Sequence, residues 1–600
     1  MLDKFKLEDI KNMSYSELQE LANEIREKII DVTSKNGGHL ASNLGVVELT
    51  IALHKVFNSP IDKIIFDVSH QIYTHKILTG RFDQFDSLRQ MDGLSGFAKY
   101  SESIHDAYEA GHSSTSISAG LGFLEAKKSF PHQIGEVIAV VGDASIANGL
   151  CFEALNYLGA HEDQKMIIIV NDNNMSISKN IGALAKRYNS LRIKHSLNPL
   201  RKIVPVRIKH ALQYYAYKVD LFTSMGFKYF ENIDGHNIEE LVKYLTVAKN
   251  LPHSIVLHIK TTKGKGYLPA ELDEKGIWHG VGPFDKTTGD FKFVKKRQSF
   301  GEVICDELIK YKEKDENNLL RVISPATILG SGITKFASRY PTSMIDVGIA
   351  EENGVVMASS MALAGLKPIV FVYATFLQRA FDEILHDVAR SNLKVIFCVD
   401  RAGIIPDDGD THQGIYDLAM YNAIPGLTVL NPTSDNDARL MINYALDHID
   451  GPIVIRYPKG SAKKGIDTFT NSLSWKTILS GKDYIVSYGP VVDDIYHRIN
   501  EEQINIGLLA ASVISPIDEK FIDNLEQNST LYVYEDVIYN GSLASNLLSY
   551  INKNKLNIKI VSISLKNTYV HEGKVDELKK RHLISLDDLM TIVKEGITKC

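Results

Sequence analysis

Two short apolar runs, Val137 to Val141 and Met166 to Val170, constrain this chain more than any other feature. Both are rich in β-branched or aliphatic residues and bounded closely, so they are expected as buried parallel strands. Gly149 to Leu158 lies between them and has the length of a crossover helix. Together the three segments predict a βαβ unit. Its strands end in Gly142-Asp143 and in Asn171-Asp172-Asn173, and open α/β sheets bind ligands beyond the carboxyl ends of their strands. A carboxylate and a carboxamide placed there are hard oxygen donors. They suit Mg2+, which keeps positions open for phosphate oxygens instead of filling an all-protein cage.

A chain of 600 residues is too long for one core and is expected to form roughly three or four domains. A net charge of -6 with mixed signs, and the lack of a basic stripe interleaved with aromatics, exclude a nucleic-acid binder. Met1-Leu2-Asp3-Lys4 lacks the apolar core of a signal peptide, and no apolar run reaches membrane-spanning length, so a cytoplasmic protein is expected. Cys151, Cys305, Cys398 and Cys600 have no CxxC spacing and are too sparse for a disulfide framework or a zinc site. They read as buried thiols, with Cys600 merely terminal.

Strands and helices alternate in three blocks, the signature of α/β layers with mainly parallel sheets. The first block is placed at residues 1–295, the second at 296–470 and the third at 471–600. Strands are expected at Ile369 to Val372 and Val395 to Val399 in the second, and near Tyr484 to Ser487, Leu531 to Tyr534 and Ile558 to Ile563 in the third. Leu184 to Lys218 carries many basic residues with little apolar periodicity and reads as a mobile, solvated excursion.

Six further segments, in order along nearly the whole chain, resemble signatures of one family. They are Gly37-Gly38-His39-Leu40-Ala41-Ser42-Asn43-Leu44-Gly45, Gly111-His112-Ser113-Ser114-Thr115-Ser116-Ile117-Ser118, Thr375-Phe376-Leu377-Gln378-Arg379-Ala380, Asp400-Arg401-Ala402-Gly403, Thr411-His412-Gln413-Gly414 and Arg456-Tyr457-Pro458. The chain is thereby similar to the 1-deoxy-D-xylulose-5-phosphate synthases, transketolase-like thiamine diphosphate enzymes. The resemblance implies a three-domain thiamine diphosphate-binding fold: a diphosphate and metal domain at 1–295, a pyrimidine-binding domain at 296–470 and a C-terminal domain at 471–600. It also implies a homodimer, a cofactor cleft between the first two domains, and a product feeding isoprenoid and thiamine biosynthesis.

The resemblance assigns roles residue by residue. Asp143, Asn173 and the carbonyl of Met175 would ligate Mg2+, which would hold the cofactor's diphosphate. His70, Gly111, His112, Ser113, Ala144, Ser145, Asn173 and Tyr267 would contact the cofactor, and Phe376 would stack on its pyrimidine. Glu351 stands at the position of the glutamate that shares a proton with the pyrimidine nitrogen, a task that calls for a carboxyl of raised pKa in a dry site. Its neighbour Glu352 leaves that identity open by composition, and the register with Ala350 favours Glu351. Arg401 and Arg456 would bind the phosphate of glyceraldehyde 3-phosphate, since the guanidinium fork matches phosphate oxygens. Tyr373, Arg379 and Asp408 are neighbouring substrate positions, and His39, His279 and His412 would hydrogen-bond oxygens or move protons. The reaction implied joins pyruvate to glyceraldehyde 3-phosphate with loss of CO2.

The chain departs from the family at several places. Ala144 replaces a second glycine of the metal motif and would be strained if its φ were positive. Ala98 and Tyr100 replace the common Pro and Arg, Glu231-Asn232 stands where Gly-Pro is usual, and Tyr534-Glu535-Asp536 where a Glu pair is common. Such changes also admit a paralogous carboligase with another keto donor or aldehyde acceptor, a transketolase proper, or a degenerate binding protein without chemistry.

Overall fold

The computed structural model describes residues 2, 5–173, 221–292, 297–406 and 408–598. Met175, the 184–218 excursion and Cys600 lie outside these. The chain divides into two compact units, Met1–Phe293 and Val294–Cys600.

The first unit is built on five parallel strands, β1 (Lys63–Phe66), β2 (Val137–Gly142), β3 (Ile167–Asp172), β4 (Lys228–Asp234) and β5 (Ile255–Lys260), in the order β1-β2-β3-β5-β4. The expected βαβ unit is present. Its helix is Gly149–Gly159, capped by the Asn148 side chain, which accepts the Leu150 N–H. Gly142 lies opposite Asn171, so the two polar strand ends emerge side by side. Ile138 and Val140 enter one core layer, while Val137, Ala139 and Val141 enter the other. Residues Ile167 and Ile169 of β3 oppose Ile168 and Val170 in the same way. Helices cover both faces, so the strands carry no polar alternation. At roughly 1.5–3 kcal/mol for each buried aliphatic side chain, this burial pins the strand ends that carry the polar groups.

Beneath that sheet lies a buried polar group. His54 Nε2 and His75 Nδ1 are 2.9 Å apart, His75 Nε2 is 3.3 Å from Asp106, and Arg81 donates to both Asp106 oxygens at 2.8 and 2.7 Å. Burial, and then the charges of His75, His105, Lys11 and Arg81, push the His54 pKa well below its usual value. His54 is therefore neutral when folded and gains a proton on unfolding below about pH 6.5. Its contribution to stability is present above that pH and is lost as the pH falls through it, with a slope of up to about 1.4 kcal/mol per pH unit. The His54→Gln variant is expected to show a shallower fall in unfolding free energy between pH 7.5 and 5.5 than the parent, measured by urea titration. An unchanged slope would show that His54 does not titrate this way.

The second unit holds two sheets. Its strands are β6 (Leu320–Ser324), β7 (Met344–Asp346), β8 (Lys367–Tyr373), β9 (Ile396–Asp400), β10 (Thr428–Leu430), β11 (Ile453–Arg456), β12 (Lys476–Leu479), β13 (Tyr484–Ser487), β14 (Gly507–Ala510), β15 (Val513–Ser515), β16 (Thr530–Ile538) and β17 (Lys559–Leu565). The larger sheet runs β15-β10-β11-β9-β8-β6-β7 and the smaller β12-β14-β13-β16-β17. All pairings are parallel except β10 with β15 and β12 with β14. Each of the strands expected in these blocks is present. Strand β15 was not foreseen: it leaves the last stretch of chain to add an antiparallel edge to the larger sheet. One core joins the sheets, with Val370, Val372 and Phe397 packed in a cluster with Val486, Leu509 and Val533.

Cys151, Cys305 and Cys398 are buried free thiols. Among the described residues no helix is long and apolar enough to cross a membrane.

Candidate active site

In the first unit the candidate residues gather at the carboxyl ends of the parallel strands. Asp143, at the end of β2, is buried; its N–H donates to the Asn171 carbonyl at 3.2 Å and its Oδ1 accepts the Ala144 N–H at 3.0 Å. Asn173 follows β3 directly. Ala144 has φ -74° and ψ -39°, right-handed helical geometry, so the alanine in place of glycine carries no backbone strain. Asp143 and Asn173 follow the ends of adjacent paired strands, offset by one residue, and a carboxylate with a carboxamide oxygen is a donor set that fits Mg2+ with positions left for phosphate.

Beside them the Gly111–Thr115 loop leads into the helix Ser116–Ser129. Asp67, at the end of β1, clamps this loop: its carboxylate accepts the N–H groups of Ser114 at 2.8 Å and Ser116 at 3.1 Å. Ser114, whose φ is 76°, donates its hydroxyl to the Ser145 carbonyl at 3.2 Å. Gly111, Ser145 and Ser114 are buried while His112 and Ser113 keep some exposure, so the loop shows a polar edge at a helix N-terminus. Tyr267 is buried, its ring 5.3 Å from that of Trp278, and its hydroxyl has no hydrogen-bond partner. An orphaned phenol of this kind fits contact with a bound polar group.

His39, His70 and His279 form a triangle, with ring centroids 5.3 Å apart from His39 to His70, 5.8 Å from His39 to His279 and 5.3 Å from His70 to His279. Burial, and then the charges of Lys263, His70 and His39, hold His279 well below its usual pKa. Lys263 itself is brought down to about 8 by burial, offset in part by Asp143 and Asp273. Burial and mutual repulsion disfavour the charged forms of His279 and Lys263, and an anion bound beside them would favour those forms. Neither Lys263 nor Asp67 was singled out from the sequence. Nothing local in Lys263-Gly264-Lys265-Gly266 marks this lysine, and its burial beside Asp143 shows only in the folded chain.

In the second unit, Glu351 opens the helix Glu351–Leu363 and is 5% exposed, while Glu352 is only half-buried. Burial lifts the Glu351 pKa to about 7, against the nearby Arg379 charge, and its Oε2 has no hydrogen-bond partner. A buried carboxyl oxygen without a partner, half-protonated near neutrality, fits a ring nitrogen that exchanges a proton.

A stack of side chains lines the ends of β8 and β9. The Arg401 guanidinium lies 3.5 Å from the centroid of Tyr373, whose ring stacks on Phe376 at 5.3 Å, and Phe376 meets His412 edge-on at 5.7 Å. Arg401 is held in the left-handed region, φ 63°, and donates to Asp400 at 2.7 Å and to the Gly330 carbonyl at 3.4 Å. Strain of about 1–2 kcal/mol at a non-glycine residue is the sort stored where a side chain must be aimed. Asp408 lies near enough to raise the pKa of both Tyr373 and Arg401. Arg456 is placed differently from Arg401. It is 1% exposed and donates through Nε and Nη2 to Asp417 at 2.8 and 3.1 Å, with its guanidinium 5.5 Å from the Tyr488 ring. Arg401 is thus the arginine with an accessible edge.

Comparison with known proteins places these residues in context. A family model described as 1-deoxy-D-xylulose-5-phosphate synthase matches residues 2–261, one described as the transketolase pyrimidine-binding domain matches 298–464, and one described as the transketolase C-terminal domain matches 475–589. The 1-deoxy-D-xylulose-5-phosphate synthase of Macrococcus caseolyticus is 39% identical, covering 96% of each chain. That of Clostridium tetani is 40% identical over 97% of each, and that of Listeria welshimeri is 39% identical over 100% of this chain and 99% of its own. The solved transketolase from Campylobacter jejuni aligns over 97% of this chain and 100% of its own at 17% identity and a TM-score of 0.42, a likeness too slight to place any residue.

Proposed function

This chain belongs to the 1-deoxy-D-xylulose-5-phosphate synthase family, and from that premise we infer that it condenses pyruvate with D-glyceraldehyde 3-phosphate to 1-deoxy-D-xylulose 5-phosphate and CO2. Membership makes it a transketolase-like transferase that uses thiamine diphosphate. When bound, thiamine diphosphate supplies the electron sink that takes the pair left by departing CO2 and returns it to the bond formed with the aldehyde carbon. The observation that carries the reading is Glu351: buried, raised to about 7 and lacking a partner at Oε2.

The chain's own residues do the remaining work. Glu351 Oε2 holds and returns a proton at the pyrimidine nitrogen. Phe376, fixed between Tyr373 and His412, offers a flat face that orients the ring at low entropic cost. Asp143 and Asn173 hold Mg2+, with Gly111, His112, Ser113, Ala144 and Ser145 cradling diphosphate oxygens through backbone and hydroxyl groups. His70 and Tyr267 contact the cofactor, and His39, His279 and Lys263 present protons to developing oxyanions. Thr411 donates its hydroxyl to the Asp408 carbonyl at 3.3 Å and accepts from His412 Nδ1 at 2.7 Å, which leaves His412 Nε2 to accept a proton from substrate. Arg401 takes the acceptor's phosphate, with Arg379, Asp408 and Arg456 completing the surroundings. The three-domain division at 295 and 470, a cytoplasmic homodimer and Mg2+ as the metal are parts of the same reading, supported by the family resemblance.

Arg401→Lys keeps the charge but loses the planar fork and its stacking on Tyr373. It is expected to raise KM for glyceraldehyde 3-phosphate by roughly tenfold or more, about 1.4 kcal/mol, with KM for pyruvate unchanged in initial-rate assays. A parallel rise in both constants would remove Arg401 from the phosphate site.

The activity itself is tested by incubating the protein with thiamine diphosphate, Mg2+, pyruvate and glyceraldehyde 3-phosphate, and following CO2 and the mass of the phosphorylated product. A product lighter than the two substrates combined by one CO2, dependent on aldehyde and metal, is expected. Transfer of a two-carbon ketol from a sugar phosphate, without pyruvate consumption, would instead make it a transketolase.

A further inference from the structure

The three imidazoles are carried on separate stretches of chain, and their spacing depends on what joins those stretches. His39 and His70 meet through Asn43 and Tyr73. Asn43 Nδ2 donates to the carbonyls of His39 and His70, both at 2.8 Å. Asn43 Oδ1 accepts the Tyr73 N–H at 2.8 Å, and the Tyr73 hydroxyl accepts the His39 N–H at 3.2 Å. Asn43 and Tyr73 are each 0% exposed. One carboxamide uses both its hydrogens and its oxygen, and the network closes on itself from His39 through Tyr73 and Asn43 back to the His39 and His70 carbonyls. His279 is tied separately, by the paired bonds of Gly38 with Val281 at 2.8 and 2.9 Å. Glycine is needed there: φ is 146°, and a Cβ would come within 2.8 Å of the Tyr73 hydroxyl.

We propose that Asn43 and Tyr73 are positioning residues, which fix the separation of His39 and His70 so that the two imidazoles meet cofactor and substrate as a preset pair. This rests on the reading of His39 and His70 as site residues. Buried hydrogen bonds with every donor and acceptor satisfied specify a single arrangement. Placement errors well under 1 Å matter to groups that must meet reacting atoms. Asn43→Asp preserves the shape but replaces the two N–H donors with a carboxylate oxygen facing two carbonyl oxygens, so the two histidine carbonyls are pushed away. Tyr73→Phe removes the acceptor for the His39 N–H.

The test is a double-mutant cycle in the full-length protein. Binding of thiamine diphosphate in the presence of Mg2+ is measured by calorimetry, kcat by initial rates, and folding by thermal melting. Asn43→Asp is expected to weaken binding tenfold or more and to lower kcat. In a His70→Ala background the same substitution is expected to change binding less than twofold, because the group it positions is gone. If Asn43→Asp does not fold, Tyr73→Phe takes its place, with a fivefold fall in kcat that disappears in a His39→Ala background. Equal losses in both backgrounds would show a merely structural role and overturn the proposal, as would wild-type binding and kcat in folded Asn43→Asp. If His70→Ala and His39→Ala themselves left binding and turnover unchanged, the reading of the site would fall, and the proposal with it.

Discussion

Exchanging Glu351 for glutamine is expected to cut turnover by about a thousandfold while raising the stability of the protein at alkaline pH. Losing a positioned proton carrier costs roughly 10²- to 10⁴-fold, and an amide cannot give up or take the proton that Oε2 holds. The stability change has the opposite sign because the carboxyl is buried. Its pKa is about 7 in the folded protein against the usual 4.5 of a solvated glutamate. A carboxyl with a raised folded pKa contributes fully below pH 4.5, and that contribution is lost as the pH rises through 7. The shift corresponds to roughly 3 kcal/mol at pH 8. Urea titrations should therefore show Glu351→Gln more stable than the parent at pH 8, with the gap closing by about pH 4. A folded variant with near-normal turnover would remove Glu351 from the chemistry; equal stability at pH 8 would show that its carboxyl is not held in a dry site.

Asp143→Ala is expected to lower affinity for thiamine diphosphate by roughly a hundredfold in the presence of Mg2+. Of the two carboxylates at the paired ends of β2 and β3, Asp172 is engaged by His258 Nε2 at 2.9 Å, and Asp143 is the one assigned to the metal. Removing it leaves Mg2+ with neutral protein oxygens alone, too weak a donor set for a doubly charged hard cation. The fold should survive: the Ala144 N–H loses its acceptor, at a cost of about 1 kcal/mol. Calorimetric titration checks this directly. Binding within threefold of the parent would move the metal away from this pair.

Much of this was legible in the sequence because it depends on neighbours along the chain. The runs from Val137 and Met166 are buried on both faces, and a continuous aliphatic run is what such a strand requires. Glu351 was singled out over Glu352 by register, and the first turn of the helix Glu351–Leu363 turns Glu351 inward. What escaped depends on contacts distant in sequence. Asp417 lies 39 positions from Arg456, so the fork that occupies this arginine is invisible until β11 and the helix Asp417–Asn422 are folded together. An arginine closing a strand reads equally well as a phosphate ligand. Asp67 reaches the Ser116 N–H 49 residues away and Asn43 the His70 carbonyl 27 residues away, which no local pattern announces. Strand β15 is three residues of Val-Ile-Ser whose partner β10 lies far upstream. Ala144 is the reverse case. A missing glycine suggested strain, and the backbone resolves it by taking a right-handed conformation open to any residue.

The protonation of Glu351 is the most direct measure of whether this pocket is built for proton exchange. Infrared difference spectra of the cofactor-free protein, parent minus Glu351→Gln, isolate its carboxyl stretch across pH. A protonated band that disappears with a midpoint near pH 7 is the expected result. A midpoint near 4.5 would mean a solvated carboxylate, and the site would have lost the group on which its chemistry rests.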